Sequence, residues 1–310
     1  VVFLLLKFAI KDFIDDRKFT NLSKQSISSY ENTLNDFHGF CVEREAVNIE
    51  DVTANITKSY LMGCQNKGNK PASINHKLRN LKVFYKYCSN EEIIIEKQNP
   101  TAKLSYQKEE LKIICYTEYH ITQMLNYYRR LSHREKSYFA YRDYVIILTL
   151  LGTGIRLGEL CNLTWNDIDM NNDKITVIGK KRIQRTIPLV DKLKKELLEL
   201  KYFKESYFKT EERVNSVFTD NENNRLSENA VQNVFKRLKE IMNFSDVRLS
   251  CHTFRHSFAK NWIMSGGDIF SLQKILGHAK LEMTKRYADL FMSAIQEQND
   301  KFNPLNNIKV

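Results

Sequence analysis

Five side chains in the second half of this chain could together act on a phosphodiester. Arg156 stands in GTGIRLGEL, His252 and Arg255 in CHTFRH, and His278 and Tyr287 in LGHAKLEMTKRYADL, where the tyrosine follows the histidine by nine residues. Arginine presents a planar fork of donors that fits two phosphate oxygens, which the point charge of lysine cannot copy. Imidazole exchanges protons near neutral pH. A phenol, with a pKa of about 10, becomes a nucleophile once a base takes its proton. The combination points to attack on phosphorus by a protein oxygen, with fixed cations in place of a metal ion, and therefore to a covalent protein–DNA intermediate.

Each residue has a plainer reading. His252 and Arg255 are three apart, so at the start of a helix they share a face opposite the apolar stripe Phe254, Phe258 and Trp262. Alone, they could be a core histidine and a surface arginine. Arg156 follows a glycine-bracketed turn whose backbone N–H groups could meet an anion. Glu159, one turn on, could orient a neighbouring arginine or histidine, or form an inconsequential surface pair. Lys180 falls at the tip of a hairpin and could reach into a cleft, with Lys181 its immediate rival. His278 follows Gly277 in a turn between helices and could donate to a phosphate oxygen or cap the chain locally. Tyr287 could simply pack on a helix face with Met283 and Leu290. The spacing of His252 and His256 can also hold zinc, but a metalloprotease needs Glu where Thr253 stands, and Arg255 would repel the cation.

Two helical groupings position these residues. Residues 1–95 read as a four-helix unit. Tyr30, Leu34, Phe37 and Cys41 recur at helical steps, as do Ile74, Leu78, Leu81, Phe84, Tyr85 and Cys88. Asp51 is expected to cap a helix from Val52 to Leu61. Residues 96–112 contain Pro100, lack periodicity and read as a linker. A second domain over 113–300 opens with Thr117 as an N-cap, followed by a buried helix in YRDYVIILTLLGTG that stops at Gly152 and Gly154. KITVIG and IQRTIPL form a hairpin around GKKR. Helices follow near 191–202, 227–242, 253–264 and 268–276, then an amphipathic stretch after Tyr287 and a tail over 301–310. The expected fold is mainly α with a small antiparallel sheet in the second domain.

Composition narrows the partner. The chain has 310 residues and a net charge of +11, which favours an anionic partner, nucleic acid ahead of a membrane surface. Six cysteines form no CxxC pair and read as reduced thiols. The apolar start VVFLLLKFAI is interrupted by Lys7 and followed by no small-residue cleavage site, so it does not read as a secretory signal. With no stretch long enough to span a membrane, the expectation is a cytoplasmic protein.

GTGIRLGEL, VIGKKRIQRTIPL, CHTFRHSFA and LGHAKLEMTKRYADL, in this order, resemble the four catalytic boxes of the tyrosine recombinases, the phage-integrase family of site-specific recombinases. The resemblance covers about 113–300; the first domain resembles the family's core-binding domain more loosely, and the two are expected to close on DNA as a clamp. The resemblance implies a catalytic set of Arg156, Lys180, His252, Arg255, His278 and Tyr287. The family often has glycine after the hairpin lysine, where this chain has Lys181. It further implies 3′-phosphotyrosine chemistry, with Tyr287 as nucleophile, His252 as base, Lys180 as acid and the arginines holding the phosphate charge. No cofactor, metal or ATP is expected. The implied partners are double-stranded recombination sites, three further copies of the chain on paired sites, and accessory DNA-bending or directionality factors. The implied outcome is integration or excision of a mobile element. The segment from Ser293 onward resembles a tail lent to a neighbouring protomer, which speaks against the alternative of a monomeric topoisomerase. A DNA-binding regulator without catalysis would lack Tyr287 or an arginine. A nuclease built on His252 and His256 would be stopped by chelators. No arm-binding domain is expected within these residues.

Overall fold

The computed structural model describes residues 4–109, 113–179, 184–209, 214–291, 299–300 and 303–307. The chain divides into two compact units, Val1–Leu111 and Lys112–Val310.

Among the described residues the first unit holds four α-helices, α1 (Leu6–Phe19), α2 (Lys24–Val42), α3 (Ala54–Asn66) and α4 (Pro71–Asn90). Their apolar stripes meet in one core of Phe13, Leu34, Phe37, Leu81, Phe84 and Tyr85, each fully buried. The starts follow local chemistry: Ser23 and Thr53 accept from backbone N–H groups three residues on, and Pro71 occupies the first turn of α4. Asp51 does not cap α3. Its carboxylate accepts from the Asn48 backbone N–H at 3.0 Å and the Asn48 amide at 2.9 Å, closing a short 3-10 turn, which leaves Thr53 as the cap. The stretch read as a linker is pinned to this unit: Asn75 accepts from Gln107 N–H and donates to Gln107 C=O, both at 2.8 Å.

The second unit contains α5 (Glu118–Glu135), α6 (Tyr138–Thr153), α7 (Leu157–Asn162), the strands β1 (Ile168–Asp169), β2 (Lys174–Ile178) and β3 (Gln184–Pro188), then α8 (Asp191–Phe208), α9 (Glu228–Met242), α10 (Cys251–Met264), α11 (Ile269–Leu276) and α12 (Leu281–Phe291). The three strands form an antiparallel sheet in the order β1-β2-β3, with Lys174 opposite Pro188 and Ile178 opposite Gln184. Ile175, Val177 and Ile187 face the core, as the two-residue period of a strand requires. The helix α6 is buried along nearly its whole length and packs against α5, α8 and α10. No helix among the described residues is long and apolar enough to cross a membrane. All six cysteines are free thiols.

Candidate active site

Three helix boundaries bring the residues together. The helix α6 ends at Gly154, whose φ of +60° suits a residue without a side chain. A Cβ there would come within 2.7 Å of Phe258 Cδ1, so the close approach of α10 also requires glycine. The turn delivers Arg156 as the N-cap of α7. The helix α10 starts at Ser250, whose side chain accepts from Thr253 N–H at 3.2 Å. The Ser250 N–H in turn donates to Tyr116 Oη at 2.8 Å, so the register that sets His252 and Arg255 is fixed from outside the helix. The helix α11 ends at Gly277, φ +63°, and sends the chain through His278 into α12.

Arg255 is 4% exposed. Its Nη1 donates to Gly154 C=O at 2.7 Å and its Nη2 to Leu276 C=O at 2.6 Å. Burial, with Arg156 and Arg185 nearby, lowers its pKa from 12.5 to about 10, so it remains charged at neutral pH. Arg156 donates from Nη1 to Glu159 Oε1 at 2.9 Å and from Nη2 to Gly277 C=O at 3.1 Å. Glu159 is 8% exposed, so the surface-pair reading does not apply. Burial alone would raise its carboxyl; the Arg185 fork, the Arg156 N–H, the Arg185 charge and the hydrogen bond from the Arg156 side chain outweigh burial and hold it at about 2.

Tyr287 is 4% exposed, its ring among Ala259, Ile263, Leu272 and Leu276. Of the two packing partners in the plainer reading, Met283 is exposed, and the side chain of Leu290 lies outside the described residues. The hydroxyl lies 2.8 Å from His256 Nδ1. Burial raises the phenol pKa, so Tyr287 is protonated. In the tautomer with the His256 proton on Nε2, Nδ1 accepts from the phenol. Burial, His252 and Arg255 lower the His256 pKa from 6.5 to about 4, which keeps the ring a neutral acceptor.

His252, expected to take the phenolic proton, is exposed one turn earlier, its ring centroid 4.2 Å from that of His256. Burial of part of its ring and the charges of Arg255, Arg156 and Arg248 lower its pKa. His278 hydrogen-bonds Thr284 through Nδ1 at 2.8 Å. Its ring lies parallel to that of Tyr287, 6.4 Å between centroids. Burial and three arginines lower its pKa to about 4. Arg156, His252, Arg255, His278 and Tyr287 thus share one region. Lys180 and Lys181 lie outside the described residues, as does most of the segment after Phe291. Among the described residues, no three His, Cys, Asp or Glu side chains form a group that could hold a metal ion.

Two members of this region were not singled out for it from sequence. His256 was weighed only as a zinc ligand, although it follows Arg255 directly. Arg185 is on β3 and shares the face of buried Ile187, and a charged residue on the inward face of a strand needs a buried partner. That alternation was the available signal.

The depressed histidines set a pH dependence. Folded values near 4 against an ordinary 6.5 mean that the unfolded chain binds more protons between them. Their contribution to stability is full above pH 6.5 and declines as pH falls toward about 4; that of Glu159 declines in the lower window, from 4.5 to about 2. The melting temperature should therefore drop on acidification from neutral pH, and drop less in His278→Gln. An equally steep profile in that variant would contradict the burial of a neutral ring.

Residues 117–294 match the phage integrase family, and residues 10–95 match the phage integrase N-terminal SAM-like domain. The chain belongs to the phage integrase family and is a tyrosine site-specific recombinase. It is 27% identical to the tyrosine recombinase XerC of Thermodesulfovibrio yellowstonii, over 96% of this chain and 97% of that protein. It is 28% identical to XerC of Staphylococcus epidermidis, over 86% of this chain and 87% of that protein. In fold it resembles the Tn1549 transposon integrase in complex with transposon right end DNA, with a TM-score of 0.76 at 17% identity over 96% of this chain and 99% of that one. It also resembles a lambda integrase dimer bound to a core site, with a TM-score of 0.71 at 17% identity over 92% of this chain and 77% of that one.

Proposed function

We propose that this recombinase cuts and rejoins double-stranded DNA through a 3′-phosphotyrosine on Tyr287. The observation that carries the reading is the placement of the Tyr287 hydroxyl, 2.8 Å from a neutral imidazole nitrogen and in the same region as two guanidinium groups. In the step we assign, Tyr287 Oη forms a bond to the scissile phosphorus and the bond from phosphorus to the 5′-oxygen breaks. The phenolic proton passes to an imidazole, through His256 in the arrangement seen, with His252 adjacent to it. Lys180 returns a proton to the leaving 5′-oxygen, with Lys181 as its rival. Arg156 and Arg255, with His278, hold the charge that develops on the non-bridging oxygens. Arg255 retains three of its five N–H donors for this after its two carbonyl contacts. The phosphotyrosine conserves the energy of the phosphodiester, so reversal by a 5′-hydroxyl of a second duplex joins the strands without ATP.

DNA as the partner is supported by the net charge of +11. Affinity supplied largely by phosphate contacts should fall with added salt. Full exchange between two duplexes breaks four strands, and each chain supplies one Tyr287, which supports a homotetramer on paired sites. Accessory bending or directionality factors would act on that assembly. Integration or excision of a mobile element is the outcome this reading assigns, following the family to which the chain belongs.

The test uses a nicked duplex selected by binding from a random-sequence pool, so that cleavage releases a short fragment and traps the protein. We expect a denaturant-stable adduct, formed in the presence of a chelator and mapped by mass spectrometry to the peptide containing Tyr287. An adduct on any other residue, or one abolished by the chelator, would refute the assignment.

A further inference from the structure

Arg185 lies outside the catalytic set read from the sequence, yet it holds several parts of the site in place. Its Nη1 and Nη2 donate to the two oxygens of Glu159 at 2.7 and 2.8 Å, and its Nε donates to Ile275 C=O at 2.7 Å. Three successive carbonyls at the end of α11 are then held by three arginines: Ile275 by Arg185, Leu276 by Arg255 and Gly277 by Arg156. Carbonyls in the last turn of a helix lack intrahelical partners and carry the negative end of its dipole, so they anchor guanidinium groups well. Glu159 joins two of the three, because its Oε1 receives Nη1 of both Arg185 and Arg156. The approach is close: a Cβ at Gly277 would lie 2.8 Å from Arg185 Cδ.

From this geometry we infer that Arg185 is a positioning residue, which aims Arg156 through Glu159 and fixes the turn carrying His278, without touching the substrate. Its side chain is 9% exposed and engaged in three directions, so it is an anchor and not a phosphate ligand. It also has an electrostatic part. Glu159 would otherwise direct its whole charge at Arg156 and weaken the cation available to the phosphate. With Arg185 present, the carboxylate is shared, and the group of Arg156, Arg185, Arg255 and Glu159 keeps two net positive charges. Arg185 pairs with Val177 near the turn end of the hairpin, so the same contacts tie that end of the sheet to α7 and α11.

The inference rests on the phosphodiester reading above, and its test separates the two. Single-turnover adduct formation at saturating nicked duplex, duplex affinity and melting temperature would be measured for the unsubstituted protein, Arg185→Ala and Arg185→Lys. Each would be assayed on a phosphate duplex and on one with an uncharged methylphosphonate at the cleaved position. If the unsubstituted protein gives no Tyr287 adduct, the functional reading itself fails. Given that adduct, we expect Arg185→Ala to cleave the phosphate duplex about tenfold or more slowly at nearly unchanged affinity, since small misplacements of aligned groups cost this much or more. The loss should shrink on the methylphosphonate, where less charge needs holding. Arg185→Lys, which cannot span both Glu159 oxygens and Ile275, should show the same pattern at smaller amplitude. It decides the matter if the alanine variant does not fold. A near-normal rate on phosphate, or an equal loss on both duplexes, would overturn the inference, the latter by indicating general damage to the fold.

Discussion

Tyr287→Phe should bind DNA with nearly unchanged affinity and form no denaturant-stable adduct. The phenyl ring keeps its contacts with Ala259, Ile263, Leu272 and Leu276, so the packing of α12 on α10 and α11 is preserved. What disappears is one oxygen, the atom that bonds to phosphorus in the proposed mechanism. The structural cost is the hydrogen bond to His256, on the order of 1 kcal/mol for a neutral pair. A gel-shift titration beside a denaturing gel of the nicked-duplex reaction separates binding from chemistry. Adduct formation by this variant at any appreciable rate would place the nucleophile elsewhere in the chain.

Arg255→Lys should be severely impaired although it conserves charge. The guanidinium holds Gly154 C=O and Leu276 C=O at the same time and still has donors left. A lysine ammonium is a single point that cannot span both carbonyls and a phosphate. Adduct formation should fall on the order of a hundredfold, as expected when a charge-stabilising donor is lost or displaced. A buried carbonyl left without its donor should cost about 1–3 kcal/mol, lowering the melting temperature by several degrees for a unit of this size. Single-turnover cleavage and thermal melting together measure both effects. Near-normal turnover would remove the argument that a fork, and not merely a positive charge, is needed beside the phosphate.

Much of the fold was legible because local signals and global packing agree. The apolar steps of Leu34, Phe37 and Cys41, and of Leu78, Leu81 and Tyr85, form the core of the first unit. Thr117, Ser227 and Asp268 sit at helix starts because their oxygens accept from free N–H groups of the first turn. Where two caps competed, the sequence misled. Asp51 is a good cap by type, but Asn48 reaches its carboxylate first, and Thr53 starts α3. The short strand β1 gave no periodic signal, since two residues cannot show one; it exists because β2 offers an edge.

Residue types, their order and the local frames that hold them were readable along the chain: the turn glycines at 154 and 277, the apolar stripe behind Arg255, the alternating strands. Those are short-range properties, set by backbone sterics and by which face of an element can leave water. Long-range packing chose which imidazole meets the phenol, and brought Arg185, ninety residues before Ile275, onto the end of α11. Both depend on how α10, α11, α12 and β3 come to rest against one another, and one helical turn separates His252 from His256. Spacing along the chain cannot choose between two such neighbours; the packing of Tyr287 into its apolar cluster does, because it sets the hydroxyl beside His256.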